Sequence, residues 1–128
     1  MLNSRPDPLT QTTLDTLRRF NDAFNRQDLA AVMAEMDEDC VFENTYPPPD
    51  GERSGGFAAV QATFEAFFAS SPQAYFEFEE IFAFGERAFQ RWTYRWVDAR
   101  GKPGHVRGVD VLRVRGGKIL EKFSYVKG

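Results

Sequence analysis

A chain of 128 residues has the length of one domain, and its 42% apolar and 15% aromatic content, with 13 phenylalanines, exceeds what a disordered chain carries and points to a wide aromatic interior. A net charge of −3 leaves no surplus of cations to neutralise phosphates, which argues against nucleic acid and against a membrane surface as partners. The opening MLNSRPDPLT lacks the apolar stretch of a signal peptide, and no apolar run approaches the ~20 residues that span a bilayer, so the expectation is a cytoplasmic protein.

The chain reads as a single domain over 1–128, with 1–9 as a flexible N-terminal segment. Leu14, Leu17, Phe20 and Phe24 recur at three- and four-residue steps and predict a helix from about Thr10 to Asn25. Asp28 is placed to cap a shorter helix carrying Val32, Met33 and Met36. CVFEN then predicts a short strand, ended by a proline run that cannot donate to a ladder. Phe57, Val60, Phe64, Phe67 and Phe68 mark a third, largely buried helix. From Tyr75 the period changes to two and predicts four strands: Tyr75 to Phe84, Ala88 to Val97, His105 to Arg115 and Ile119 to Val126. Helices segregated from an antiparallel sheet make an α+β domain, and a sheet of this length curls to give a concave face.

Asp110 stands out because its strand is otherwise apolar. A lone ionised carboxylate there costs several kcal/mol, so it is either paired or raised in pKa. Arg91 and Arg95 are its expected partners in the structural reading, whereas a raised pKa would make it an acid. Arg91, Thr93 and Arg95 alternate with Trp92, Tyr94 and Trp96, and ordinary patterning would bury the aromatics. Asn44 closes the first strand and either orients a ligand oxygen or satisfies its own turn. Tyr46 hangs over a pocket mouth or lies on the surface. Ser124 and Lys122 share inward parity, although a lysine near a strand end is usually solvated. Glu77, Glu79 and Glu80 read as a solvated face. His105, the one histidine, reads as a surface residue, which leaves no multi-histidine metal site. Cys40 reads as a small buried hydrophobe that cannot form an intrachain disulfide.

The order of elements, together with DLAAVMAEMDEDCVFEN and GVDVLRVRGGKI, resembles the ketosteroid isomerase and SnoaL-like branch of the nuclear transport factor 2-like superfamily from about Leu14 to Val126. The resemblance implies a cone-shaped curved antiparallel sheet wrapped around helices and enclosing a pocket. It equates Asp110 with the isomerase's oxyanion-hole acid, but puts Asn44 where the base should stand and Phe20 where the tyrosine should stand. The stretch FENTYPPP is also similar to limonene epoxide hydrolase. That likeness places Arg91 at the linking arginine, Thr93 and Ser124 at the two carboxylates, and Phe42 at the tyrosine. Neither mechanism is complete here.

The family register implies that the face of 91, 93 and 95 points into the concavity and that Trp92, Tyr94 and Trp96 build a homodimer on the convex face. Two functions follow. The first is a cofactor-independent isomerase, cyclase or hydrolase that uses acid-base chemistry on a small apolar, oxygenated molecule. In it Asp110, Arg91 and Asn44 are catalytic, and Thr93, Tyr46, Ser124, Phe20 and Phe42 bind the substrate. The second is a non-catalytic binding or dimeric accessory module. Both need no cofactor and no metal.

Overall fold

The computed structural model describes residues 7–128. Helix α1 (Pro8–Asn25) starts two residues earlier than the periodicity predicts. Asp7 caps it by accepting from Thr10 N at 2.9 Å and Thr10 Oγ1 at 2.8 Å. Pro8 fits the first helical turn, where its missing N–H costs nothing. The expected flexible segment therefore fails for Pro8 and Leu9, while residues 1–6 lie outside the described residues. Helix α2 (Leu29–Ala34) is capped by Asp28, strand β1 (Met36–Glu43) follows, and β2 (Arg53–Gly55) is a short strand that the proline- and glycine-rich loop concealed. Helix α3 (Phe57–Ser70) leads to β3 (Tyr75–Phe84), β4 (Arg87–Val97), β5 (Pro103–Arg115) and β6 (Lys118–Val126).

The six strands form one curved sheet in the order β2-β1-β6-β5-β4-β3. All neighbours are antiparallel except β1 and β6, which run parallel, so the sheet is mixed. The α+β architecture otherwise follows the expectation. Helix α1 lies across the sheet and is fastened to two hairpin turns through its threonines. Thr13 Oγ1 donates to the Gly85 carbonyl at 2.7 Å and Thr16 Oγ1 to that of Gly117 at 3.1 Å. The core packs Leu17, Phe20 and Phe24 of α1 against Phe64 and Phe68 of α3 and Leu112, Val114 and Ile119 of the sheet. Burial of each large side chain stabilises the fold by roughly 1.5–3 kcal/mol. Cys40 sits in this core, and burial, followed by the charges of Asp37 and Asp39, pushes its thiol up to about 11. No helix among the described residues is long and apolar enough to cross a membrane.

The strand register decides which side chains face the helices. Gln90 stands directly opposite Asp110, and Asp110 opposite Ser124, so these three share the concave face. Arg91 and Thr93 pair with Val109 and Arg107 on the other face. The implied register is thus reversed: Trp92, Tyr94 and Trp96 point inward, and Arg91, Thr93 and Arg95 outward. The physical reason is burial. Trp92 packs edge-on against Phe76 with ring centroids 5.0 Å apart, and Tyr94 meets Phe67 and Phe76. The arginines stay solvated beside acidic partners.

Gly108 lies under the Trp92 ring. A Cβ there would meet the Tyr125 carbonyl and would stand 2.5 Å from Trp92 Cη2, so an added methyl displaces both strand β6 and the indole. Gly108→Ala is expected to destabilise the fold by about 1–3 kcal/mol in urea unfolding. Gly55→Ala, where nothing lies in the way, should have a much smaller effect. Equal effects of the two substitutions would contradict the register.

Candidate functional site

Between the concave face, α1, α3 and the Asn44–Glu52 loop lies a cavity of about 430 Å³. Phe24, Phe64 and Phe67 supply the helical side, and Phe42, Phe76, Trp92, Tyr94 and Trp96 supply the sheet side. The polar lining is sparse: Asn44, Thr45, Tyr46, Thr63, Ser71, Lys122 and Ser124. Among the described residues neither a carboxylate nor a histidine lines it. No three His, Cys, Asp or Glu side chains among the described residues cluster so as to hold a metal ion.

Lys122 is the charged group of the wall. Its side chain is only 8% exposed, while the other lysines, Lys102, Lys118 and Lys127, are exposed. An ammonium offers three donors. Lys122 Nζ donates to Ser124 Oγ at 3.0 Å, stands 3.4 Å from Asp110 Oδ1, and lies 4.9 Å from the centroid of the Phe42 ring. The aromatic face adds a favourable cation–π contact.

Asp110 lies behind this wall, 2% exposed, beside a void of about 10 Å³. Its Oδ1 accepts from Ser124 Oγ at 2.6 Å and its Oδ2 from Gln90 Nε2 at 2.9 Å. Gln90 in turn exchanges hydrogen bonds with Asn21 of α1 at 2.8 and 3.2 Å. Asp110 is therefore the acceptor at the centre of a buried chain running Asn21, Gln90, Asp110, Ser124, Lys122. The expected inward carboxylate is present, but its partner is Lys122 rather than Arg91 or Arg95. Two hydrogen-bond donors and the Lys122 ammonium converge on its oxygens, so the carboxylate is turned toward its partners and not toward the cavity.

The other expected site residues divide. Asn44, Tyr46, Ser124 and Phe42 line the cavity. Asn44 Oδ1 accepts from Thr45 N at 2.7 Å, so its carbonyl serves its own turn, and Tyr46 is 73% exposed at the mouth. Phe20 is a core residue, 1% exposed between Phe24 and Phe64, and is absent from the cavity wall. Arg91 and Thr93 lie across the sheet, where both bind Glu79. The Thr93 hydrogen bond, then that from Arg107, holds the Glu79 carboxyl below its ordinary range, with the Arg107 and Arg91 charges adding to the effect.

Sequence reasoning assigned Lys122 to solvent and passed over Gln90 and Asn21. Parity already turned Ser124 and Lys122 inward, and the lysine was lost to the general tendency of strand-end lysines to be solvated. For Gln90 the missed signal was the ladder, because a residue opposite an inward Asp110 must face inward too. Two further wall groups carry polar atoms without a hydrogen-bond partner, Trp92 Nε1 and Tyr94 OH. Burial raises the Tyr94 phenol above its usual range. Ser71 beside it opposes that shift without meeting hydrogen-bond geometry.

Comparison with known proteins places this geometry in a family. The family model for the SnoaL-like domain matches residues 17–122. No curated protein matches the sequence. Among solved structures, an NTF2-like protein of unknown function from Mesorhizobium loti is 43% identical over 97% of this chain and 98% of its own, with a TM-score of 0.82. A candidate ketosteroid isomerase from Kribbella flavida (18% identity, 93% of this chain and 80% of its own, TM-score 0.79) shares the fold. So does a candidate SnoaL-like polyketide cyclase from Jannaschia sp. CCS1 (14% identity, 98% and 92%, TM-score 0.80).

Removing either member of the buried pair leaves an uncompensated charge, so Lys122→Met and Asp110→Asn are each expected to cost about 3–5 kcal/mol in urea unfolding. The double variant should cost clearly less than the two together. Strict additivity would show that the two groups do not interact.

Proposed function

From the premise that the chain belongs to the SnoaL-like family, we propose that it binds a small, largely apolar molecule whose one oxygen function is received by the Lys122 ammonium. The observation that supports this reading is Lys122 itself: a nearly buried cation, held by Ser124 and Asp110, on the wall of an otherwise aromatic cavity. Apolar area supplies affinity in such a site, and a single fixed donor supplies orientation. The best occupant is a cyclic or aromatic compound bearing a ketone, aldehyde, carboxylate or phenolate oxygen.

Binding is preferred to catalysis because, among the described residues, no carboxylate or histidine that could act as a general base lines the cavity. Asp110 lies behind the cavity wall and reaches a ligand only through Lys122 and Ser124, and Arg91 has no route to a ligand on the concave side. A second reading keeps the catalytic option. The ammonium of Lys122, backed by Asp110, stabilises an enolate oxygen, so a substrate that supplies its own base would be turned over.

Both tryptophans of the chain, Trp92 and Trp96, line the cavity, so their emission reports occupancy directly. Menthone should bind more tightly than menthane, the hydrocarbon of the same skeleton. Lys122→Arg, which keeps the cation but moves it, should weaken menthone and leave menthane unchanged. A charged hydrogen bond of about 1.5–3 kcal/mol corresponds to a tenfold or larger loss. Equal binding of the two compounds to the wild-type protein would refute the assignment of Lys122.

The homodimer expected through the convex face loses Trp92, Tyr94 and Trp96, which lie inside. The face still exposes Phe82, Val111 and Tyr125, with Phe82 stacked on Phe89. It carries arginines and glutamates together, a pattern complementary to a second copy of itself. We therefore keep a two-fold dimer on this face as part of the proposal. Sedimentation should give twice the mass of 14.6 kDa, and Val111→Glu should reduce it to that of the monomer while leaving menthone binding intact. A wild-type monomer at tens of micromolar would remove the dimer without touching the pocket.

A further inference from the structure

We infer that Lys122 is a covalent capture site for aldehydes and ketones, forming a protonated Schiff base for which Asp110 is the counter-ion. The inference rests on the reading that the cavity holds a small oxygenated molecule, and it goes beyond that reading by naming the carbonyl class and a bond. Three features of the site carry it. The amine is nearly buried, and its apolar wall favours condensation with loss of water. A flexible lysine stem presents Nζ as a compact nucleophile, the property that buried lysines lend to Schiff-base chemistry. A carboxylate at 3.4 Å and a hydroxyl at 3.0 Å provide a place for the proton and a partner for the positive product.

The step balances without any other reagent. The Lys122 ammonium passes a proton to Asp110, and the free amine adds to the carbonyl carbon. The adduct moves one proton from its nitrogen to its oxygen, giving a carbinolamine. The hydroxyl of that carbinolamine takes back the proton held by Asp110 and leaves as water while the nitrogen lone pair forms the C=N bond. Starting from ammonium and carbonyl, the products are an iminium and one water, with Asp110 again a carboxylate. The iminium keeps the charge that Asp110 already balances, so the buried charge count does not change. Ser124, which donates to Asp110 Oδ1 and accepts from Lys122, keeps the two groups in register and is a positioning residue.

The test uses cinnamaldehyde with sodium cyanoborohydride, which reduces the iminium to a stable secondary amine. The expected result is a mass gain equal to the aldehyde less one oxygen atom, mapped by peptide analysis to Lys122 ahead of Lys102, Lys118 and Lys127. Cinnamyl alcohol, which cannot condense, should compete with the labelling and shift the tryptophan emission. Lys122→Arg keeps the ion pair and should lose the adduct, with circular dichroism checking that it remains folded. Labelling confined to the exposed lysines, or equal labelling of Lys122→Arg, would overturn the inference. If cinnamyl alcohol still occupies the cavity in that case, the pocket reading survives; if it does not, both fall together.

Discussion

An ammonium buried among phenylalanines is unfavourable unless a counter-charge and hydrogen-bond acceptors accompany it. In this chain Asp110 and Ser124 accompany Lys122, and most of what the site can do depends on that arrangement. The pair spans neighbouring strands β5 and β6, so it exists only when their register holds. Gln90 of β4 and Asn21 of α1 extend the same network and tie the third strand and the first helix to it. A slip of one residue in any of these strands would turn the polar chain outward and strand a charge in the core. The cluster thus specifies the concave face at the same time as it furnishes the cavity with a donor.

The two faces of the sheet solve opposite problems. On the concave side the aromatics of β3 and β4 meet those of α1 and α3, leaving a cavity whose shape is set by rings. On the convex side Arg91, Arg95 and Arg107 lie beside Glu77, Glu79 and Glu80, where water screens their charges and each pair adds little stability. Lys122 differs from these arginines in environment rather than in charge.

The elements were largely legible in the chain. Phe20 and Phe24 mark α1, Phe64 and Phe68 mark α3, and the shift to period two at Tyr75 marks the sheet, because each depends on local spacing. Asp110 was legible as an inward carboxylate because its neighbours are apolar. The face of β4 was misassigned because its register was carried over from remote relatives, while the simple alternation of tryptophan and arginine already favoured aromatics inside. Strand β2 and the parallel β1–β6 pairing depend on contacts distant in the chain, and the proline-rich loop gave no periodic signal. The partner of Asp110 was hidden for the same reason: an ion pair across two strands appears only when the ladder is aligned.

The most direct test of the account is nitrogen–proton correlation at the lysine Nζ groups. At neutral pH, Lys122 should give an ammonium signal protected from solvent exchange, unlike those of Lys102, Lys118 and Lys127. That signal should vanish or move in Asp110→Asn and shift when an oxygenated ligand fills the cavity. Four lysine signals that exchange alike and ignore the ligand would contradict the central claim that a buried, paired Lys122 governs what this cavity receives.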